Sequence, residues 1–214
     1  MKFCPCEDGR ESRGVICDFH PARMSSKASH ACLSRADPSV FTKKVILKLP
    51  AKFDLLPDAA SYDAAVEALY ALAFGPGRHA KAAARLREGH QSRRDVSFVA
   101  MSGGHLIGAC RLWPLVTDQG QEILFLGPIA VAPDHQGQGL GGELVEACLT
   151  ASDRLTGLPV ILVGDLAFFE PFGFSQAPKG QVTLPGPADP KRILWRPAQG
   201  ADIIAPAGKL LKNA

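Results

Sequence analysis

Three glycines at alternate positions, Gly137, Gly139 and Gly141, lie in a polar turn of this 214-residue chain. The turn follows an apolar segment that ends at Val131 and precedes an amphipathic segment that begins at Leu140. Glycine permits positive φ angles and a close backbone approach to a ligand, because it has no Cβ atom. N–H groups at a helix N-terminus, together with the helix dipole, favour an anion. The spacing therefore predicts a pyrophosphate site; the alternative is a flexible turn before a helix, with no ligand.

The segments around this turn predict its place in the fold. Three strand-like segments, 96–101, 105–115 and Glu122–Val131, are separated by turn residues and predict an antiparallel meander. Apolar residues then recur at helical spacing over 140–155, and the apolar run over 160–163 is typical of a buried parallel strand. A meander followed by a strand–helix–strand crossover predicts an α/β (α+β) fold with a mixed central sheet and helices on both faces.

Shorter elements are predicted on either side of this core. In chain order they are a strand at 44–49, helices at 61–73 and 80–88, a short helix at 166–171, and strands near Phe174 and at 193–195. Residues 197–214 are rich in Ala, Gly and Pro, which predicts a loop or a short tail helix.

The first 50 residues differ from the rest in charge and cysteine content. They hold nine of the 24 Lys and Arg residues and four of the six cysteines, and residues 1–40 contain few large apolar side chains. Such a stretch cannot bury enough surface to offset its ordering entropy. We therefore expect a disordered extension over 1–43, a folded domain over 44–196 and a tail over 197–214. Translation from Met24 is an alternative, and the cysteine spacings match no compact metal site, so no metal is expected.

The overall composition excludes several classes of protein. Hydrophobic residues make up 46% and charged residues 21%, values typical of soluble globular proteins, which excludes a wholly disordered chain. The net charge is +3 and its positive excess lies in the first 50 residues, so no nucleic-acid partner is expected. No apolar run reaches the roughly 18 residues of a membrane helix, and no secretory signal is evident. These features predict a cytoplasmic protein without a membrane partner.

Several motifs together resemble one family. The Gln-x-x-Gly-x-Gly segment over 136–141 is similar to the Gln/Arg-x-x-Gly-x-Gly/Ala signature of the GNAT N-acetyltransferases. The aromatic segment over 168–174 resembles that family's helix ending in Gly-Phe, and the Leu-Gly-Pro-Ile-Ala-Val strand over 126–131 resembles its YhbS-like branch. The resemblance covers about residues 44–196. It implies the GNAT fold, acetyl-CoA as co-substrate, and direct acetyl transfer to a primary amine of a small molecule or protein.

The resemblance also implies roles for individual residues. The glycine turn would hold the coenzyme A pyrophosphate, and the strand end at 129–131 would pair edge-on with the pantetheine arm. A bulge at Gly127-Pro128 would splay the sheet, or this dipeptide only shapes a sheet edge. The N–H of Ile129 would polarise the thioester carbonyl. The implied coenzyme-binding residues are Ile129, Ala130, Val131, Gln136, Gly137, Gln138, Gly139, Leu140, Gly141, Gly142, Phe168 and Phe169.

Acetyl transfer also needs a group that accepts a proton, because an alkyl amine is mostly protonated near pH 7. The candidates are Glu122 at the start of the central strand, His105, and the Asp134-His135 pair beside the turn. Glu122 is the first candidate for the catalytic base. The alternative interpretations are a hairpin cap for Glu122 and solvated turn residues for Asp134 and His135.

The usual proton donor to the departing thiolate is absent from the matching position. Many family members have a Tyr four residues before the Gly of the Gly-Phe motif, where this chain has Phe169. Phenylalanine has no proton to give, and general acid help is typically worth about 10²–10⁴-fold. Two main functions therefore stay open, an N-acetyltransferase and a non-catalytic acetyl-CoA-binding regulator of a partner protein. A third is an interaction protein whose basic N-terminal segment contacts an acidic partner.

The acceptor amine is not identified by the sequence. The surface expected to bind it is built from the first two predicted helices, over 61–88, and the turn over 114–121. It carries cations without a matching acidic cluster, namely Arg78, His79, Lys81, Arg85 and Arg87. This excess disfavours a polycationic acceptor, unless the side chains only form a solvated helix face. The expected oligomeric state is a monomer or a homodimer.

Overall fold

The computed structural model describes residues 53–80, 82–200 and 204–212. The extension expected over 1–43 and the strand predicted at 44–49 lie outside these residues. The strands and helices follow in the order β1 Asp54–Pro57, α1 Asp63–Phe74, α2 Ala82–Arg87, β2 Phe98–Ser102, β3 His105–Thr117, β4 Glu122–Val131, α3 Leu140–Leu155, β5 Val160–Val163, α4 Leu166–Phe169, β6 Ser175–Gln176, β7 Val182–Thr183, β8 Ile193–Arg196 and β9 Gly208–Lys212.

The strands form a mixed sheet in the order β1-β2-β3-β4-β5-β8-β6. Strands β1 to β4 are antiparallel, β5 is parallel to β4, and β8 and β6 continue the sheet in antiparallel pairing. Strand β9 pairs with the end of β3 and, in parallel, with β7. The predicted meander and its parallel crossover strand are confirmed.

Helices pack on both faces of the sheet. Side chains alternate between the faces of a strand, so neighbouring residues of β3 belong to different hydrophobic clusters. Cys110 packs with the apolar stripe of α3, which includes Leu144 and Cys148. Ala109 packs with the buried face of α1, which includes Val66. The predicted mixed sheet with helices on both faces is therefore confirmed.

Three strands, β1, β7 and β9, were not predicted; β7, at Val182–Thr183, has two residues, too few for an alternating pattern to appear in the sequence. Strand β1 ends at Pro57, which we interpreted as a turn residue; proline is accepted here because β1 lies at the sheet edge. The expectation of a loop or helix over 197–214 is wrong for β9, which pairs with Leu115–Thr117. Its sequence, Gly-Lys-Leu-Leu-Lys, is too short for its apolar pattern to separate a strand from a helix.

Three further observations bear on the class of protein. Among the residues that the structure describes, no group of three or more His, Cys, Asp or Glu side chains could hold a metal ion. Cys110 and Cys148 are buried free thiols, and the Cys148 thiol donates to the Cys110 carbonyl at 3.4 Å. None of the described helices is long and apolar enough to cross a membrane.

Candidate active site

A β-bulge interrupts the sheet between β3 and β4. The register shifts between Cys110 and Leu112, so that Arg111 alone lies opposite Gly127-Pro128. An extra residue in one strand bends that strand and increases its twist. The bulge expected at this dipeptide is confirmed.

Two side chains donate hydrogen bonds to the carbonyl groups of the bulge. Trp113 Nε1 donates to the Gly127 carbonyl at 2.7 Å, and the Tyr70 hydroxyl donates to the Pro128 carbonyl at 3.2 Å. Burial raises the pKa of the Tyr70 phenol, which therefore stays a neutral donor at physiological pH. The bulge is thus held from both β3 and α1.

Beyond the bulge, alternate residues of β4 direct their backbone groups away from β3. The Ala132 N–H donates to the Ile107 carbonyl at 2.8 Å, which fixes the phase of the antiparallel ladder. In such a ladder, every second residue bonds to the partner strand. Ala130 therefore bonds to β3, and the N–H and C=O groups of Ile129 and Val131 face the opposite side.

That opposite side is open because β5 diverges from β4. In the described chain, the pairing of β5 with β4 comprises Leu124 and Phe125, which precede the bulge. The carbonyl of Val131 accepts a bond from the Gln136 side chain at 2.9 Å. Apart from this bond, the backbone at 129–131 is a strand edge without a partner strand among the described residues, and an extended ligand could add to it.

The polar turn after β4 enters α3 through two glycines in the left-handed region. The φ angles of Gly137 and Gly139 are 72° and 85°, values that cost other residues about 1–2 kcal/mol. The Glu143 N–H donates to the Gly139 carbonyl at 3.1 Å, so the preceding N–H groups of the turn have no partner inside the helix. A Cβ added at either glycine would meet no atom within 4 Å. The space in front of α3 is therefore open to a ligand.

Two phenylalanines cover the start of α3. A Cβ added at Gly141 would lie 3.9 Å from the Phe168 ring, and one at Gly142 would lie 3.3 Å from the Phe172 ring. Phe168 is 45% exposed, so its outer face is free beside the glycine turn. The aromatic segment and the glycine turn thus form one surface.

A cavity of about 560 Å³ lies beside the bulge. One wall is the backbone over 127–129, and the facing wall comes from Leu162, Val163 and Phe169. Phe169 is 7% exposed and makes an edge contact with Phe174, with ring centroids 5.6 Å apart. The remaining walls come mainly from α1, α2 and β3. The cavity therefore joins the free edge of β4 to the helices predicted to form the acceptor surface.

Arg111, which lines the cavity, belongs to a network of partly buried charges. Arg111 Nε lies 2.9 Å from Asp58 Oδ2, and the Asp58 side chain is fully buried. Arg111 also donates to Asp63 at 2.7 Å. The pKa of Asp63 is lowered, mainly by a hydrogen bond from Arg94. Burial acts in the opposite direction, and a second hydrogen bond from Arg111 lowers the pKa further. This network fixes the Arg111 side chain opposite the bulge.

The sequence model of the acetyltransferase (GNAT) family matches residues 64–174. The chain belongs to this family. It is 28% identical over 119 residues to the uncharacterized N-acetyltransferase YjhQ of Escherichia coli (strain K12). That alignment covers 54% of this chain and 65% of the relative, so the chain spans just under two thirds of its length.

Two solved GNAT structures share the fold. YhbS from Escherichia coli, in complex with CoA, superposes with a TM-score of 0.63 at 22% identity, over 76% of this chain and 90% of that one. A GNAT family acetyltransferase from Brucella melitensis, in complex with acetyl-CoA, gives a TM-score of 0.55 at 21% identity, over 76% and 96% of the two chains. These superpositions show that the chain has the GNAT fold.

The four predicted base candidates do not line the cavity of this GNAT protein. Glu122 is exposed at the first residue of β4, at the opposite end of the strand from Val131. His105 is exposed at the start of β3, and Asp134-His135 lies in the 3-10 turn before the glycines. The geometry therefore offers no support for Glu122 as the base, and its catalytic role stays a prediction.

Several cavity residues of this GNAT protein were missed in the sequence. Tyr70 and Trp113 hold the bulge, and the cavity carboxylates are Glu67 and Glu88. Arg78, which was assigned to the acceptor surface, forms an ion pair with Glu67. Helical periodicity identified the buried face of α1 but not which strand residues it meets, so no local signal marked these side chains.

Proposed function

We propose that this chain is an acetyl-CoA-dependent N-acetyltransferase that transfers the acetyl group directly to a primary amine of a small molecule or protein. The observation that carries the proposal is the free edge of β4 at Ile129 and Val131, between the bulge and the glycine turn. Membership of the GNAT family supports it, as do fold neighbours whose structures contain CoA or acetyl-CoA.

The glycine turn over 136–142 has the features that a pyrophosphate needs. Its N–H groups lead into a 16-residue helix whose dipole favours negative charge, and the space in front of Gly139 is open. The strand edge over 129–131 would hydrogen-bond the amide groups of the pantetheine arm, as an added strand does. Phe168 and Phe169 would flank this arm from the other side. In this assignment the chain binds the coenzyme mainly through its backbone.

The transfer forms a bond between the amine nitrogen and the acetyl carbon and breaks the bond between that carbon and sulfur. The Ile129 N–H faces the open side, where it would donate to the thioester oxygen as negative charge develops. One such donor is typically worth about 10²–10³-fold in kcat. Tyr70 and Trp113 are positioning residues for this donor, because they fix the bulge from which Ile129 emerges.

A second candidate function is a non-catalytic acetyl-CoA sensor that regulates a partner protein. It is favoured by Phe169, which lines the cavity and stands at the sequence position where many family members have a Tyr. A sensor needs the glycine turn and the strand edge but no proton donor. In an enzyme, water in the open cavity would protonate the departing thiolate.

Thiol release measured with acetyl-CoA and a panel of primary amines separates the two functions. The proposed enzyme gives sustained release above the hydrolysis background with at least one amine. Tight acetyl-CoA binding by calorimetry, without turnover on any amine, would instead support the sensor. A protein that neither binds acetyl-CoA nor releases thiol would refute both.

A further inference from the structure

Arg87 lines the cavity, and no carboxylate of the described residues forms an ion pair with it. Its Nε donates to the Ala83 carbonyl at 2.9 Å, one turn earlier on α2. Its guanidinium lies 6.0 Å from the ring centroid of Trp113, whose indole holds the bulge. Within the described residues, no hydrogen bond or ion pair engages its two terminal nitrogens. This half-buried cation therefore has two terminal nitrogens that could donate hydrogen bonds to a ligand in the cavity.

The other arginines near Arg87 are already neutralised. Arg78 binds Glu67, and Arg111 binds the buried Asp58. Glu67 is close enough to favour the charged form of Arg87, but its carboxylate is engaged by Arg78. Among the described residues that line the cavity, Arg192 also has no ion pair, but it is exposed to solvent and donates to the Gly164 carbonyl at 3.3 Å. Arg87 is thus the half-buried arginine of this cavity whose charge the described residues leave uncompensated.

Leaving Arg87 in this position has a physical cost. Burial lowers the pKa of the guanidinium, because removal from water penalises a charge that lacks a close counter-ion. A bound anion would remove that penalty. The planar fork of an arginine matches the two oxygens of a carboxylate, with two parallel charge-assisted hydrogen bonds. The apolar surface of Trp113, Tyr70 and Phe74 beside it would contact the rest of such a ligand.

We propose that Arg87 binds a carboxylate of the acceptor, so that the acceptor is a small-molecule primary amine that also carries a carboxylate. This inference rests on the proposed acetyltransferase function and specifies its substrate class. The carboxylate anchors on Arg87, and the amine of the same molecule is directed towards the bulge and the Ile129 N–H. The excess of cations around the cavity is then a feature of acceptor binding.

The test compares amino acids with their own amides. L-Leucine, L-methionine and L-phenylalanine, each with its primary amide, are assayed for thiol release and, by calorimetry, for binding to the protein saturated with CoA. Amidation leaves a larger fraction of neutral amine at a given pH, so it would favour the amide if the carboxylate played no part. We expect the acids to be preferred by about 10- to 100-fold, the range for a hydrogen bond to a charged group.

Two substitutions on α2 locate the effect. Arg87→Gln should remove the preference, and Arg87→Lys, which keeps the charge but not the fork, should give an intermediate loss. Arg85→Gln is the matched control, because Arg85, although assigned to the acceptor surface from the sequence, is exposed on the same helix outside the cavity lining and donates to the Pro185 carbonyl at 3.2 Å. Its preference should equal that of the wild type. Circular dichroism and the melting temperature show whether each variant is folded.

The outcomes separate this inference from the proposed function. Acids that bind through Arg87, without thiol release from them or from any amine of the panel described above, would keep the carboxylate site and refute acetyl transfer. Thiol release with amides or other amines, and no preference for acids, would keep the transfer and overturn the carboxylate site. The site is also overturned if no acid binds, or if the preference is the same in Arg87→Gln.

Discussion

Replacing Gly139 separates the strain of the glycine turn from its contact with a ligand. Gly139 has a φ of 85°, and an added Cβ would meet no atom within 4 Å. Gly139→Ala therefore adds backbone strain of about 1–2 kcal/mol without a clash. For a folded unit of this size, about 2–4 °C of melting temperature is lost per kcal/mol. We expect Gly139→Ala to melt about 2–8 °C below the wild type.

Gly157 supplies the matched control at the other end of α3. Its φ is 62°, and an added Cβ there would also meet no atom within 4 Å. Gly157→Ala should therefore lose a similar melting temperature. Only the change at Gly139 should weaken acetyl-CoA binding, because only that residue faces the proposed pyrophosphate.

Gly139→Glu adds a charge where the pyrophosphate would lie. For unit charges roughly 5 Å apart and an effective dielectric constant of about 20–80, the repulsion is about 0.8–3.3 kcal/mol. The Kd for acetyl-CoA should rise by about 4- to 200-fold, and less at high salt. Calorimetry at two salt concentrations measures this, with Gly157→Glu as the control. A wild-type Kd for a folded Gly139→Glu protein would refute the phosphate assignment.

Three further predictions test the supports of the cavity. Asp58→Asn removes a fully buried counter-charge and should lower the free energy of unfolding by about 3–5 kcal/mol. The control Asp95→Asn, at an exposed carboxylate, should lower it by less than about 1 kcal/mol. Denaturant titration measures both changes. A hydrogen bond from Arg94 lowers the pKa of Asp63 in the folded protein. The ionised Asp63 carboxylate therefore stabilises the fold above the unfolded pKa of about 3.9, and this stabilisation is lost as the pH falls through the lower folded pKa. Asp63→Asn should therefore flatten the plot of unfolding free energy against pH below about pH 4, and an unchanged slope would contradict this. Trp113→Phe should lower kcat by about 2- to 10-fold, because one hydrogen bond to the bulge is lost. The Kd for acetyl-CoA should stay within about twofold of the wild-type value. An unchanged kcat would exclude the positioning role of Trp113.

The central elements of the site could be predicted because local sequence determines them. The segment over 140–155 carries its own helical periodicity, and α3 has these bounds in the structure. Strand β4 likewise begins and ends where its apolar run does. The glycine turn between them needs positive φ angles that its sequence supplies.

The walls of the cavity could not be predicted, because they depend on contacts between distant segments. Tyr70 reaches the Pro128 carbonyl across 58 positions of the sequence. Periodicity shows that Tyr70 lies on a buried face but not that it meets the bulge. Arg87 was assigned to a basic surface, but its position over Trp113 depends on how α2 packs against β3. Glu122, the first candidate for the base, is the first residue of β4, whereas the cavity lies beside the bulge and Glu122 does not line it.

Amide hydrogen exchange is the most direct test of acetyl-CoA binding at β4 and the glycine turn. Exchange rates are measured by NMR, residue by residue, on the protein with and without saturating acetyl-CoA. We expect slower exchange at Ile129 and Val131 and across the turn over 137–142, because acetyl-CoA would occupy these donors. The Gln136 N–H should change less, since it already donates to the Pro133 carbonyl at 3.2 Å. Ala130 should not change, since it already bonds to β3. Unchanged exchange at Ile129 and Val131 under saturating acetyl-CoA would contradict the proposal that β4 binds the coenzyme.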